Sequence, residues 1–183
     1  MQATGGAELM RDLELPLTGV LAQMERVGIA VDTDAMEGLE SEYADGVRAA
    51  ALEHGVVAVV GMFTPADEVE TDDGPRRRVH NTLLLTGAGV DEVTYRKIHL
   101  FDAYGSRESE LVEPGDRIVT VDVPTPSGPL RIGLATCYDV RFADQFTALG
   151  RAGAQLVVLP ASWGEGPGKA EQWDLLVRAR AHD

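Results

Sequence analysis

The stretch GLATCYDVRF, Gly133 to Phe142, decides the fold. Leu130 to Thr136 read as a strand and Phe142 to Gly153 as a helix, so the chain's only cysteine, Cys137, falls where one gives way to the other. Open α/β sheets place their ligands at such strand ends. A helix N-terminus there also lowers a thiol's pKa and offers backbone N–H groups to a developing oxyanion. A lone cysteine beside an apolar strand is nonetheless more often a small core residue. The stretch by itself leaves both readings open.

Working outward, the pattern is one of apolar strands alternating with helices. Gln155 to Pro160 is a fully apolar strand, and Ala170 to His182 reads as an amphipathic helix. On the other side, VVAVVGMF (Val56 to Phe63) is a continuous apolar run that predicts a strand buried on both faces. A polar, turn-rich loop is expected over Pro65 to Arg78, then a hairpin partner at Val79 to Thr86, and strands at Val93 to Leu100 and Arg117 to Val123. A helical pattern runs from Ala35 through Tyr43, Val47 and Ala51 to His54, closed by Gly55. Asp32 to Asp34 supply N-cap candidates, with Glu37 as a capping partner. Further upstream, Asp12 to Ala22 read as entry into a helix ending near Gly28, and Ile29 to Val31 as a short strand. Strands and helices in this order give an α/β fold.

Composition closes off several classes. A formal net charge of −14 argues against a nucleic-acid partner, because phosphate binding needs clustered Lys and Arg. The only dense basic run, Arg76-Arg77-Arg78, sits beside Asp72 and Asp73 and reads as a solvated loop. One cysteine excludes an intrachain disulfide and a Cys-rich metal site, and four scattered histidines do not make a zinc site. There is no basic stretch leading into an apolar signal segment and no apolar run near 18 residues, so no membrane contact is expected. The expected location is the cytoplasm, whose reducing conditions suit a free thiol.

Lys97 shifts the balance at Cys137. TYRKIHLFD, Thr94 to Asp102, sets a lysine among apolar and aromatic strand residues, which is costly unless it is paired or functional. A short loop with Arg107-Glu108-Ser109-Glu110 follows. Together, RKIHLFD, RESELVEPGD, GLATCYDVRF and LVVLPASWGEGPGKAEQWDLLVRARA resemble the motifs of the carbon–nitrogen hydrolase (nitrilase) superfamily, in family order, from about Tyr43 to Asp183. CYDVRF and the RARA helix look most like the Nit-type branch, which includes ω-amidases and deaminated-glutathione amidases.

The resemblance implies a role for each matching residue. Cys137 is the nucleophile, Lys97 and the backbone N–H of Tyr138 stabilise the oxyanion, and Glu108 is the second carboxylate that positions the site. Trp163 either lines the pocket or packs the following loop, His99 reads as structural, and Asp139 and Arg141 organise the turn after the nucleophile. The implied reaction is hydrolysis of a small-molecule amide through a thioester, without metal or cofactor. The implied fold is a four-layer αββα sandwich, here partial: its first strand–helix unit and its C-terminal part are expected to be missing.

The family's general base, a glutamate in an F-P-E motif, has no match in the chain. The alternative is therefore a non-catalytic α/β module with a relic site. Instead, DLELPLTGVLAQMERVGIAVDTDAMEGLESEY, Asp12 to Tyr43, resembles a segment of bacterial family A DNA polymerase. On that reading residues 1–43 are a helical appendage joined to an incomplete hydrolase domain at 44–183, a chimera. Strands left without neighbours would favour homo-oligomers or aggregates.

Overall fold

The computed structural model describes residues 33–71, 74–103 and 105–183. The upstream helix and the strand expected before Asp32 lie outside the described residues. Residues Glu37–Asp183 form one compact unit.

Helix α1, Thr33–Glu53, runs unbroken through Tyr43. Among its described side chains, the buried ones are the small Ala44 and Ala51. Arg48 anchors it to the loop after the second strand, donating to both carboxylate oxygens of Glu92 at 2.8 and 2.9 Å. Two three-stranded sheets follow. The first is β1 (Val57–Thr71), β2 (Gly74–Gly87) and β3 (Val93–Arg96), antiparallel throughout. The second has β4 (Val119–Thr125) antiparallel to β5 (Gly128–Leu134), with β6 (Leu156–Val158) parallel to β5. Helix α2, Ala143–Arg151, is the crossover between β5 and β6, and α3, Lys169–Arg180, follows β6.

The two sheets share one apolar core, in which Leu83, Leu85 and Tyr95 of the first meet Val121, Val123, Ile132 and Leu134 of the second. α2 packs on β5 at Gly133, where any Cβ would come within 3.0 Å of the Leu149 side chain. That close approach fixes the helix directly behind the strand that leads to Cys137. The α/β architecture matches the expectation from the strand–helix alternation.

Four local expectations are corrected. Val56 to Phe63 is not buried on both faces: Val57 to Val60 are only half-buried, and Val56 and Phe63 are 50% and 51% exposed. An apolar run is buried on both faces only where other layers cover both. The polar segment Pro65 to Arg78 is not a loop but the continuation of the β1–β2 hairpin, with a register irregularity between Pro65 and Glu68. Cross-strand charge pairs hold it: Arg78 donates twice to Asp67, at 2.7 Å each, so the Arg76–Arg78 run lies in a strand. Lys97 comes one residue after β3 rather than within it. Finally, α3 has no fully buried residue and exposes Leu175 by 68%, so the apolar face expected of it is only partly covered among the described residues.

Candidate active site

β5 ends at Leu134, and Ala135 and Thr136 lead into a 3-10 turn, Cys137–Arg141, before α2 begins. Cys137 stands at φ 47°, the only non-glycine residue in the left-handed region among those described. That conformation costs an L-residue about 1–2 kcal/mol and persists only when its surroundings enforce it. The enforcement is visible. Ala135 N–H donates to Val158 O at 3.1 Å and Cys137 N–H to Pro160 O at 2.9 Å, so the turn is stitched to the end of β6. Thr136 N–H donates to Asp139 Oδ2 at 2.8 Å, and Asp139 N–H returns to Thr136 O at 3.0 Å. Tyr138 N–H occupies the second position of the turn, where helical N–H groups have no acceptor within their own helix.

Asp139 is fully buried, and a buried carboxylate is tolerated only when its oxygens are hydrogen-bonded. Besides Thr136 N–H, it accepts Tyr95 Oη–H at 2.6 Å, His99 N–H at 3.0 Å and His99 Nδ1 at 3.0 Å. His99 Nδ1 also lies 3.0 Å from Gln145 Oε1. Both facing atoms are acceptors, which assigns the proton to Nδ1. The His99 ring stacks on Phe142 at 3.7 Å. His99 thus braces the turn, and Asp139 organises it, as the sequence suggests.

The second group is an ion pair. Lys97 is 4% exposed, and its Nζ donates to Glu108 Oε2 at 2.5 Å. The same oxygen accepts Phe101 N–H at 2.6 Å. Glu108 opens a short 3-10 turn, Glu108–Glu110, whose Ser109 N–H donates to Asp102 at 3.0 Å. Gly115 supports Lys97 from the other side: its N–H donates to Lys97 O at 2.8 Å, and a Cβ there would lie 2.2 Å from Arg96 O.

Cys137, Tyr138 and Trp163 line one cavity of about 440 Å³, with Phe101, Arg141 and Lys169 also in its wall. Lys97 and Glu108 are not among the residues lining it; Glu108 accepts the N–H of Phe101, a lining residue whose ring meets Tyr138 edge-on at 5.1 Å. The sequence-derived candidates therefore fall into two sets, a cavity set and an ion pair. Trp163 faces the cavity as well as packing, since it lies 5.0 Å from Trp173 and donates Nε1–H to Lys169 O at 3.2 Å.

Arg141 is the residue that sequence reasoning undervalued. Its guanidinium lies 5.6 Å from the Tyr138 ring and 5.3 Å from the Trp163 ring, and Nη2 donates to Gln172 Oε1 at 2.9 Å. Aromatic faces on either side hold a cation at the cavity wall. Aromatics at positions 138 and 163 flanking an arginine were the available signal. Tyr95 was missed too, because a tyrosine in a strand reads as packing. Among the described residues no group of three or more His, Cys, Asp or Glu is arranged to hold a metal ion.

The sequence pattern of carbon–nitrogen hydrolases matches residues 14–183. The chain belongs to that family. A Mycobacterium tuberculosis protein described as a hydrolase is 45% identical over 99% of this chain and 59% of its own length. The deaminated glutathione amidase of Escherichia coli O157:H7 is 32% identical over 79% of this chain and 51% of its own. Nit3 of Saccharomyces cerevisiae, a nitrilase-superfamily protein, superposes with a TM-score of 0.53 at 28% identity, over 73% of this chain and 44% of that one. The chain thus spans about half the length of the curated relatives it matches. The family match begins at residue 14 and the Mycobacterium tuberculosis relative aligns over 99% of the chain, so the polymerase resemblance of Asp12 to Tyr43 finds no support. A 32-residue helix-and-strand pattern is a generic signal that unrelated folds share. No helix among the described residues is long and apolar enough to cross a membrane.

Proposed function

We propose that this carbon–nitrogen hydrolase cleaves the amide bond of a small molecule through a thioester on Cys137. In the proposed sequence the Cys137 sulfur attacks the amide carbonyl. Lys97 and the Tyr138 N–H stabilise the oxyanion, and the carbon–nitrogen bond breaks with release of ammonia. Water then hydrolyses the thioester, releasing a carboxylate and restoring the thiol. Glu108 holds Lys97 in place. The observation that carries this reading is the strained backbone of Cys137 at the end of β5, opening onto a cavity large enough for a small amide.

Two cationic side chains, Arg141 and Lys169, line that cavity, which supports a substrate with an anionic end. An ω-amidase or deaminated-glutathione-amidase type of substrate has that character. General-base help typically contributes 10²–10⁴-fold, and the F-P-E glutamate has no match in the sequence, so turnover is expected to be slow. The same feature favours the second reading, a non-catalytic α/β module with a relic site.

The test is ammonia release from ω-amides such as α-ketoglutaramate, for the chain and for Cys137→Ala. Release by the parent alone supports hydrolysis at Cys137. Equal release by both, or none by either, rejects it.

A further inference from the structure

The buried polar network under the nucleophile turn has a centre that packing does not explain. Tyr95 has no exposed surface and sits in the apolar core shared by the two sheets, where phenylalanine would fill the same space. Its hydroxyl instead makes three hydrogen bonds. It donates to Asp139 Oδ2 at 2.6 Å, and accepts from Gln145 Nε2 at 2.9 Å and from Ile98 N–H at 3.2 Å.

The partners flank both reactive groups. Asp139 Oδ2, which receives the tyrosine proton, also receives Thr136 N–H, so one oxygen pins the residue before Cys137 and the residue two after it. Ile98, held by the same hydroxyl, directly follows Lys97, and His99 N–H donates to Asp139 Oδ1. Gln145 brings in α2. The hydroxyl thus ties the turn that bears Cys137 to the segment that bears Lys97. Between the two pinned points Cys137 keeps its left-handed backbone. Burial, followed by the charge of Asp139, holds the phenol well above its ordinary pKa, so the group remains a donor throughout the working range.

We infer that Tyr95 is a positioning residue for Cys137, acting through Asp139 to hold the nucleophile turn in register with Lys97. The inference rests on the reading of Cys137 as nucleophile, but its test does not need turnover.

Because Cys137 is the only cysteine, alkylation of the full chain by 2-chloroacetamide, followed by intact mass, reports this thiol alone. The sulfur displaces chloride from the methylene carbon beside the amide, so the rate reads how the thiol is presented to a small amide-bearing molecule. Tyr95→Phe is expected to lower the alkylation rate about tenfold, in line with the cost of small misplacements of reacting groups. Val59→Ala, which removes a core contact in β1, is the control for general loosening and should label at the parent rate. Gln145→Met, which keeps the Tyr95–Asp139 bond but removes the acceptor facing His99 as well as a donor to the hydroxyl, should show a smaller loss. If the parent releases ammonia, Tyr95→Phe should reduce kcat with KM little changed. A Tyr95→Phe rate within twofold of the parent, or a loss matched by Val59→Ala, overturns the inference. Absence of ammonia release from the parent rejects the hydrolase reading and leaves the labelling comparison decisive for Tyr95.

Discussion

Lys97 and Glu108 form a 2.5 Å ion pair in which the ammonium is almost wholly buried while the carboxylate keeps limited access to water. That asymmetry makes the lysine the vulnerable partner. Removing the carboxylate leaves a buried charge without compensation, whereas removing the lysine leaves a carboxylate that still accepts Phe101 N–H. Glu108→Gln is therefore expected to destabilise the chain by about 3 kcal/mol, the range for breaking one side of a buried pair. Lys97→Met, which fills the same space with apolar atoms, should cost less. Urea denaturation of both variants reads the difference, and a larger loss in Lys97→Met would contradict this order.

The strain at Cys137 makes an unusual prediction about small residues. At most buried positions glycine is worse than alanine, through backbone entropy and lost packing. At φ 47° the order inverts, since alanine keeps the left-handed penalty of about 1–2 kcal/mol and glycine does not. Cys137→Gly should be more stable than Cys137→Ala by about 1 kcal/mol, read from paired thermal or urea melts. Equal stabilities would mean that the turn relaxes once the thiol is gone.

Much of this site was legible in the residues, and the failures have a common cause. GLATCYDVRF gave the strand end and the thiol, and TYRKIHLFD gave a lysine that had to be paired, because both signals are local. The β1–β2 hairpin was misread at Pro65 to Arg78 because its stability comes from Arg78 reaching across the ladder to Asp67, a pairing that no local propensity reports. Tyr95 and Arg141 were undervalued for the same reason. Their meaning lies in partners 44 and 31 residues away, Asp139 and Gln172.

Acid should loosen the Glu108 turn before the core. Hydrogen bonds from Ser109, first its side chain and then its backbone N–H, hold the Asp102 carboxyl below its ordinary value of 3.8. A depressed carboxylate contributes stability above its unfolded pKa and loses it as pH falls through the folded value. The contribution is thus intact at neutral pH and fades only below about pH 4. Hydrogen exchange corrected for intrinsic rates should show Ser109 losing protection there while Leu83 and Leu134 keep theirs. Asp102→Asn should abolish this acid-specific loss. Simultaneous loss at all three amides would point to global unfolding instead.

Among the described residues one edge of β1 has no strand beside it, and that edge predicts how the chain behaves in solution. Its C-terminal half carries Pro65, Asp67, Glu68 and Glu70 and a register irregularity, features that discourage pairing with another strand. Its N-terminal half, Val57 to Phe63, carries none, and Phe63 is half exposed on it. Self-association is therefore expected through that half, opposed by a net charge of −14 and strengthened by salt that screens it. Sedimentation velocity should show association rising with protein and salt concentration. Phe63→Lys should reduce it by adding a charge and removing apolar edge surface, whereas Leu175→Lys, on the exposed face of α3, should have less effect. A monomer at high salt with a single cooperative melt would show that this edge does not recruit a second copy. Association lost in Leu175→Lys alone would move the contact to α3.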